Sequence, residues 1–175
     1  MSSEARLFRH ELKFFIDESE MEILVKRIGT VIPRDANAGS GEYTIRSLYF
    51  DDMFAGAYED KLAGVERRKK YRIRIYNYSD SIIKLECKQK KGQYIHKTAA
   101  TLSRGEADAL IAGDYGFLID RGEPVCRQFY LECAGNKMMP KVVVDYDRIP
   151  IRIRRLLWQM PYPRNTNGPT LRSRF

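Results

Sequence analysis

No stretch of this 175-residue chain approaches the roughly 18 consecutive apolar residues of a membrane-spanning helix. The opening MSSEARLFRHELKFF lacks the apolar core and cleavage site of a signal peptide. Cysteine is scarce. Cys87, Cys126 and Cys133 are odd in number and lack metal-ligand spacing, which reads as buried thiols in a reducing compartment and predicts a cytoplasmic protein. The two histidines, His10 and His96, supply neither a zinc pair nor a Ser-His arrangement. Acidic residues are missing from Ile149 onward. Six of the 31 basic residues are arginines of that stretch, which leaves 25 against 23 acidic residues over positions 1–148. The net charge of +8 thus sits mostly near the C-terminus, which tempers a nucleic-acid reading of it.

What is present suits one folded domain. A hydrophobic share of 43% and 11% aromatics are enough to build a core and argue against disorder. The stretch from Arg67 to Lys97, RRKKYRIRIYNYSDSIIKLECKQKKGQYIHK, alternates with the period of a strand. Arg68, Lys70, Arg72, Arg74 and Tyr76 share one face, with Tyr71, Ile73 and Ile75 on the other. Beyond a turn at Asn77–Asp80, Lys84, Glu86, Lys88 and Lys90 share a face, opposite Ile83, Leu85 and Cys87. The pattern predicts two paired antiparallel strands with a cationic and an apolar face. A third run, Gln93 to Leu102, brings His96 and Lys97, with Lys97 on the parity of Ile95 and Ala99. Like charges opposite one another repel, and a merely solvated sheet would interleave the signs. Several Arg and Lys aimed at one place point to a polyanion, because Arg grips phosphate oxygens bidentately and Lys supplies a point charge.

The remaining elements follow in order. Arg6 to Ile16 alternates as a strand. Asp17 and Glu20 make a capping-box pattern before a helix with Met21, Leu24, Val25 and Ile28 on one side and Gly29 as its stop. A Pro/Asp/Asn/Gly-rich loop leads to a strand over Tyr43–Asp51, then one or two helical turns within Asp52–Leu62. Ser103 caps a short helix over Gly105–Ala112, and Pro124–Ala134 suits another. Lys141–Ile149, with three successive valines, reads as a strand. Residues 151–175 change character: IRIRR alternates, but the rest has no clear period and no carboxylate.

About seven strands with short helices between them suit an α+β protein built on an antiparallel β-barrel. If the cationic faces point inward, that barrel must be a wet, ligand-filled tunnel, since burying so many cations without partners is prohibitive. The ordered segments RHELKF (9–14), SLYFDD (47–52), YEDKL (58–62), YRIRIY (71–76), LECKQKKG (85–92) and VDYDR (144–148) resemble the VTC-type polyphosphate polymerase domain, a branch of the triphosphate tunnel metalloenzymes. On that resemblance, residues 1–150 form the VTC-like tunnel domain and 151–175 an atypical basic C-terminal tail. The expected activity is transfer of the ATP γ-phosphate to a growing polyphosphate chain. The resemblance implies phosphate contacts from Lys13, Arg72, Arg74, Lys88, Lys97, Tyr146 and Arg148, with Arg72, Arg74, Lys88 and Arg148 catalytic. It implies Mn2+ or Mg2+ as cofactor, with Glu11 and Glu86 as candidate metal ligands, each equally readable as a structural ion-pair partner. ATP, polyphosphate or other linear triphosphates are the expected partners.

The sequence departs from the pattern in two places. Arg9 stands where hydrolase and cyclase relatives carry the first Glu of E-x-E-x-K, which favours the polymerase branch. After Arg148, the family's late metal-binding Glu, in a Leu-Glu-x-Lys context, is not found. The barrel is therefore expected to lack its usual C-terminal strands, and a non-catalytic polyphosphate- or nucleotide-binding module is the alternative to an active polymerase. Single-stranded nucleic acid stacking on Tyr71, Tyr76, Tyr78 and Tyr94 is a further, disfavoured reading, because those rings suit packing better.

Overall fold

The computed structural model describes residues 9–10, 12–32, 42–153 and 156–163, with side chains for 12–32 and 42–150. Its strands are β1 (Arg9–His10), β2 (Tyr43–Asp51), β3 (Arg67–Tyr76), β4 (Ser79–Lys91), β5 (Tyr94–Leu102), β6 (Met139–Ile153) and β7 (Leu156–Pro163). They form one antiparallel sheet in the order β1-β5-β4-β3-β2-β6-β7. The helices are α1 (Glu18–Gly29), α2 (Gly56–Leu62), α3 (Arg104–Ala112) and α4 (Pro124–Asn136), with a 3-10 turn over Gly116–Asp120 that the sequence pattern did not indicate. The expected α+β class holds. The sheet is open among the described residues: β1 and β7 are its opposite edges rather than a closing pair.

Local chemistry explains most boundaries. Asp17 and Glu20 form the full capping box at α1, and Ser103 and Glu106 form another at α3. Gly113 ends α3 at φ 91°, a left-handed position that costs a glycine little. The hairpin between β3 and β4 is tighter than the four-residue turn expected. Asn77 and Tyr78 alone make it, at φ 50° and 55°, the positive pair that a two-residue hairpin of matching twist demands. The Asn77 side-chain oxygen accepts the Thr44 amide at 2.9 Å and ties the turn to β2.

Two sequence expectations change. Among the described residues, the strand expected over Arg6–Ile16 is represented in the sheet by Arg9–His10, while residues 12–16 lie outside it. Its register, Arg9 against Ile95 and His10 against Tyr94, carries the chain past the start of β5 at the Gly92 turn. Leu12, Phe14 and Phe15 therefore run beyond their neighbour and stand exposed. Conversely, part of the tail is a strand. β6 continues through the expected 150–151 boundary, and β7 pairs along it from Ile153–Leu156 to Tyr146–Pro163. Pro161 and Pro163 are tolerated because β7 is an edge and need not donate on its outer side.

The apolar face of the sheet forms the core. Leu48, Phe50, Tyr71, Ile73, Ile83, Leu85 and Ala100 pack with Leu110, Leu118, Val125 and Phe129 from the α3–α4 layer. Phe129 stacks on Tyr71 with ring centroids 4.8 Å apart and meets Phe50 edge-on at 5.0 Å. Cys87, Cys126 and Cys133 are buried free thiols, as expected, and burial pushes all three pKa values up, Cys133 to about 12. No helix among the described residues is long and apolar enough to cross a membrane.

Candidate functional site

Strand register turns the alternating cations into a two-dimensional array on the face away from α3 and α4. Arg74 lies opposite Ser47 and Lys84, Arg72 opposite Tyr49 and Glu86, and Lys70 opposite Lys88, which faces Lys97 in turn. β6 adds Tyr146 opposite Ile45 and Arg148 opposite Tyr43 on the same face. Lys97, whose direction the sequence left open, is therefore on the cationic face.

Glu86 is the centre of the array. Its side chain is 1% exposed. One carboxylate oxygen, Oε2, accepts Arg72 Nε at 2.8 Å and Arg72 Nη2 at 2.7 Å, with Arg74 Nη1 3.6 Å away. The other oxygen pairs with Lys97 Nζ. Burial by itself would raise the Glu86 pKa. The charges of Arg74, Arg72 and Lys97 outweigh burial and hold the carboxyl below its usual range. For Lys97 the balance runs the other way: burial lowers its pKa and the Glu86 charge only partly offsets this, with Arg74 and Arg72 adding to the depression.

The arginines are also gripped from their outer sides. Arg72 Nη1 donates to the Tyr49 hydroxyl at 2.8 Å, and the guanidinium lies 5.6 Å from that ring's centroid. Arg74 Nε donates to Ser47 Oγ at 3.2 Å and Arg74 Nη2 to the Tyr146 hydroxyl at 3.0 Å. Tyr49 and Ser47 are site residues that the sequence reading missed. The available signal was their shared parity on β2, two hydroxyls among apolar neighbours. Arg148 sits at the far end, 6.0 Å from the Tyr43 ring centroid, and Tyr43 in turn lies 5.8 Å from the Tyr76 ring.

The structure thus gathers Arg72, Arg74, Lys97 and Tyr146 in one contact network, with Lys88 and Arg148 flanking it on the same face. Lys13 lies outside the sheet, exposed, yet close enough that its charge acts on Lys70. Glu11 lies outside the described residues. Among the described residues no group of three His, Cys, Asp or Glu side chains could hold a metal ion, and Glu86 is already committed to three cations. The described donors do not by themselves fit a divalent metal centre. What they do fit is an anion: fixed guanidinium forks and an ammonium beside polar hydroxyls, three of the cations sharing one buried carboxylate, Glu86.

Two solved structures share the fold. A candidate adenylate cyclase from Bacillus halodurans superposes with a TM-score of 0.53 at 14% identity, over 83% of this chain and 67% of that one. A candidate adenylyl cyclase from Hippeastrum, in which triphosphatase activity dominates, superposes with a TM-score of 0.58 at 13% identity, over 85% and 69%. At such identity the likeness speaks for the fold. No curated protein matches the chain. The model of the VTC domain matches residues 8–154, which includes every strand of the cationic array, and the chain belongs to the VTC domain family.

Proposed function

We propose that this chain binds linear triphosphates and polyphosphate on its cationic face and transfers the γ-phosphate of ATP to a growing polyphosphate. The observation that carries the reading is the network of Arg72, Arg74 and Lys97 around one buried carboxylate, three cations against a single negative charge. In the proposed reaction a terminal phosphate oxygen of the chain attacks the γ-phosphorus in line. The new P–O bond forms as the bond to the β–γ bridging oxygen breaks, and ADP leaves with that electron pair. Such transfer depends on positioning and charge neutralisation rather than on a protein nucleophile. Arg72, Arg74, Lys88 and Arg148 would stabilise the equatorial oxygens, and Lys13, Lys97 and Tyr146 would hold flanking phosphates. The resemblance implies Mn2+ or Mg2+ with Glu11 and Glu86 as ligands, but Glu86 is held by Arg72, Arg74 and Lys97 and does not fit that role as it stands. A cytoplasmic setting belongs to the same proposal and is supported by the three buried free thiols.

A binding module without turnover is the second reading. It is favoured by Glu86, whose oxygens are both engaged by cations. Calorimetric titration with tripolyphosphate, with a single-stranded oligonucleotide as control, tests the shared claim. Tight tripolyphosphate binding, lost in the Arg72→Ala/Arg74→Ala double variant, is the expected result; preference for the oligonucleotide overturns both readings. ATP-dependent appearance of polyphosphate then separates polymerase from binding module.

A further inference from the structure

The cationic ladder does not stop at Arg72. Two residues before it on β3, and on the same face, stands Lys70, and two before that Arg68. Register sets Lys70 across from Lys88 and Arg68 across from Lys90. From Arg74 to Arg68 the ladder spans about 20 Å at the rise of a strand. Lys70 is half-buried and makes no ion pair among the described residues. Burial lowers its pKa, and the charges of Lys61, Arg68 and Lys13 lower it further. Among the leading influences the opposing charge is Asp51, and the oxygens of that carboxylate are also engaged by backbone amides. Its Oδ1 accepts the Asp52 and Ala57 amides, each at 2.9 Å, and its Oδ2 accepts the Tyr58 amide at 3.1 Å, which anchors α2 and with it Lys61. A cluster of like charges held together at a cost, around a Lys70 that makes no ion pair among the described residues, is arranged for an anion from outside.

We propose that Lys70, with Lys61 and Arg68, forms a second phosphate subsite one register step beyond Arg72, which holds the part of a linear polyphosphate that a triphosphate seated at Arg72 and Arg74 does not reach. This rests on the phosphate-binding reading above. The subsite makes the protein select by chain length: tripolyphosphate uses the Arg72–Arg74 end alone, and a long chain uses both.

The test compares tripolyphosphate with a long linear polyphosphate by calorimetry, in chelator, on the full chain. The wild type is set beside Lys70→Gln, Lys61→Gln/Lys70→Gln and Lys70→Arg. The expected loss in Lys70→Gln is about five- to tenfold for the long chain, at least fivefold greater than for tripolyphosphate, as for removal of one partly screened charge-assisted contact. The slope of log affinity against log salt for the long chain should fall by about 0.7, the share of one phosphate on a single-stranded polyanion. Lys70→Arg should restore both quantities, and the double variant should lose more than the single. Equal losses for the two ligands, or no loss with tripolyphosphate binding intact, overturn the second subsite and leave the main site standing. Wild-type protein that binds neither ligand overturns the phosphate-binding reading itself. Melting temperature reports on folding separately.

Discussion

Replacing Glu86 with Gln should destabilise the protein and, in the same stroke, make it more responsive to phosphate. The substitution keeps the shape and removes the charge that holds Arg72, Arg74 and Lys97 together. Breaking a buried pair by removing one partner costs about 3–5 kcal/mol, because the remaining charge stays buried and unpaired. Here the three cations differ in access to water: the Arg74 and Arg72 side chains are 5% and 13% exposed, whereas Lys97 is 44% exposed and can turn to solvent. Tyr49, Ser47 and Tyr146 also continue to accept hydrogen bonds from the arginines. Both facts place the cost lower, at about 2–4 kcal/mol. For a chain of this size that lowers Tm by roughly 5–15 °C. Tripolyphosphate at a hundredfold excess over its Kd returns about 2.7 kcal/mol to any variant that binds it. In Glu86→Gln the arginines no longer have to be shared with an internal carboxylate, so binding tightens and the ligand-induced rise in Tm exceeds that of the wild type. Thermal melts of both proteins, in chelator, with and without tripolyphosphate, provide the measurement. A Glu86→Gln protein with wild-type Tm refutes the compensating role of the carboxylate. A ligand-induced rise smaller than that of the wild type refutes the idea that Glu86 competes with phosphate.

The same carboxylate gives a pH dependence. Its folded-state pKa is depressed below the ordinary 4.5, so the unfolded chain takes up that proton first as the pH falls. The stability it contributes is full above about pH 4.5 and is lost progressively below it; urea melts of wild type and Glu86→Gln should converge in acid. Phe129→Ala removes a fully buried ring that touches Phe50 and Tyr71, and should cost about 3–5 kcal/mol in denaturant titrations. Ser103→Ala removes the oxygen that accepts the Glu106 amide at 3.2 Å, and should cost about 1 kcal/mol by the same measurement.

The elements with strong periodicity were legible in the sequence. The cationic alternation of β3 and β4 maps directly onto the array, and both capping boxes stand where Asp17 and Ser103 indicate. What pattern alone could not supply was adjacency. Ser47 and Tyr49 become site residues because β2 happens to pair with β3 in a register that sets them against Arg74 and Arg72. Leu12 to Ile16 alternates like a strand, yet a strand also needs a neighbour, and β5 begins at Tyr94. β7 was hidden for the opposite reason: its prolines argue against a strand until the pairing shows it to be an edge. Glu86 carried a legible charge, but only side-chain geometry shows that three cations share it.

The position of β2 between β3 and β6 has a kinetic consequence. β2 to β5 form a run of neighbours in chain order, β3 to β5 joined by tight turns and β2 to β3 through α2, and contacts so local in sequence favour early formation. β6 must return to β2 across most of the chain, as the Arg46–Asp145 pair, 99 residues apart, shows. Closing a loop of that length precedes any reward from the contacts it makes. Arg72 and Arg74 should thus be in place before Tyr146 and Arg148 arrive. In refolding, a nascent half-site should exist first, and the complete polyanion grip should emerge only with the slow docking of β6.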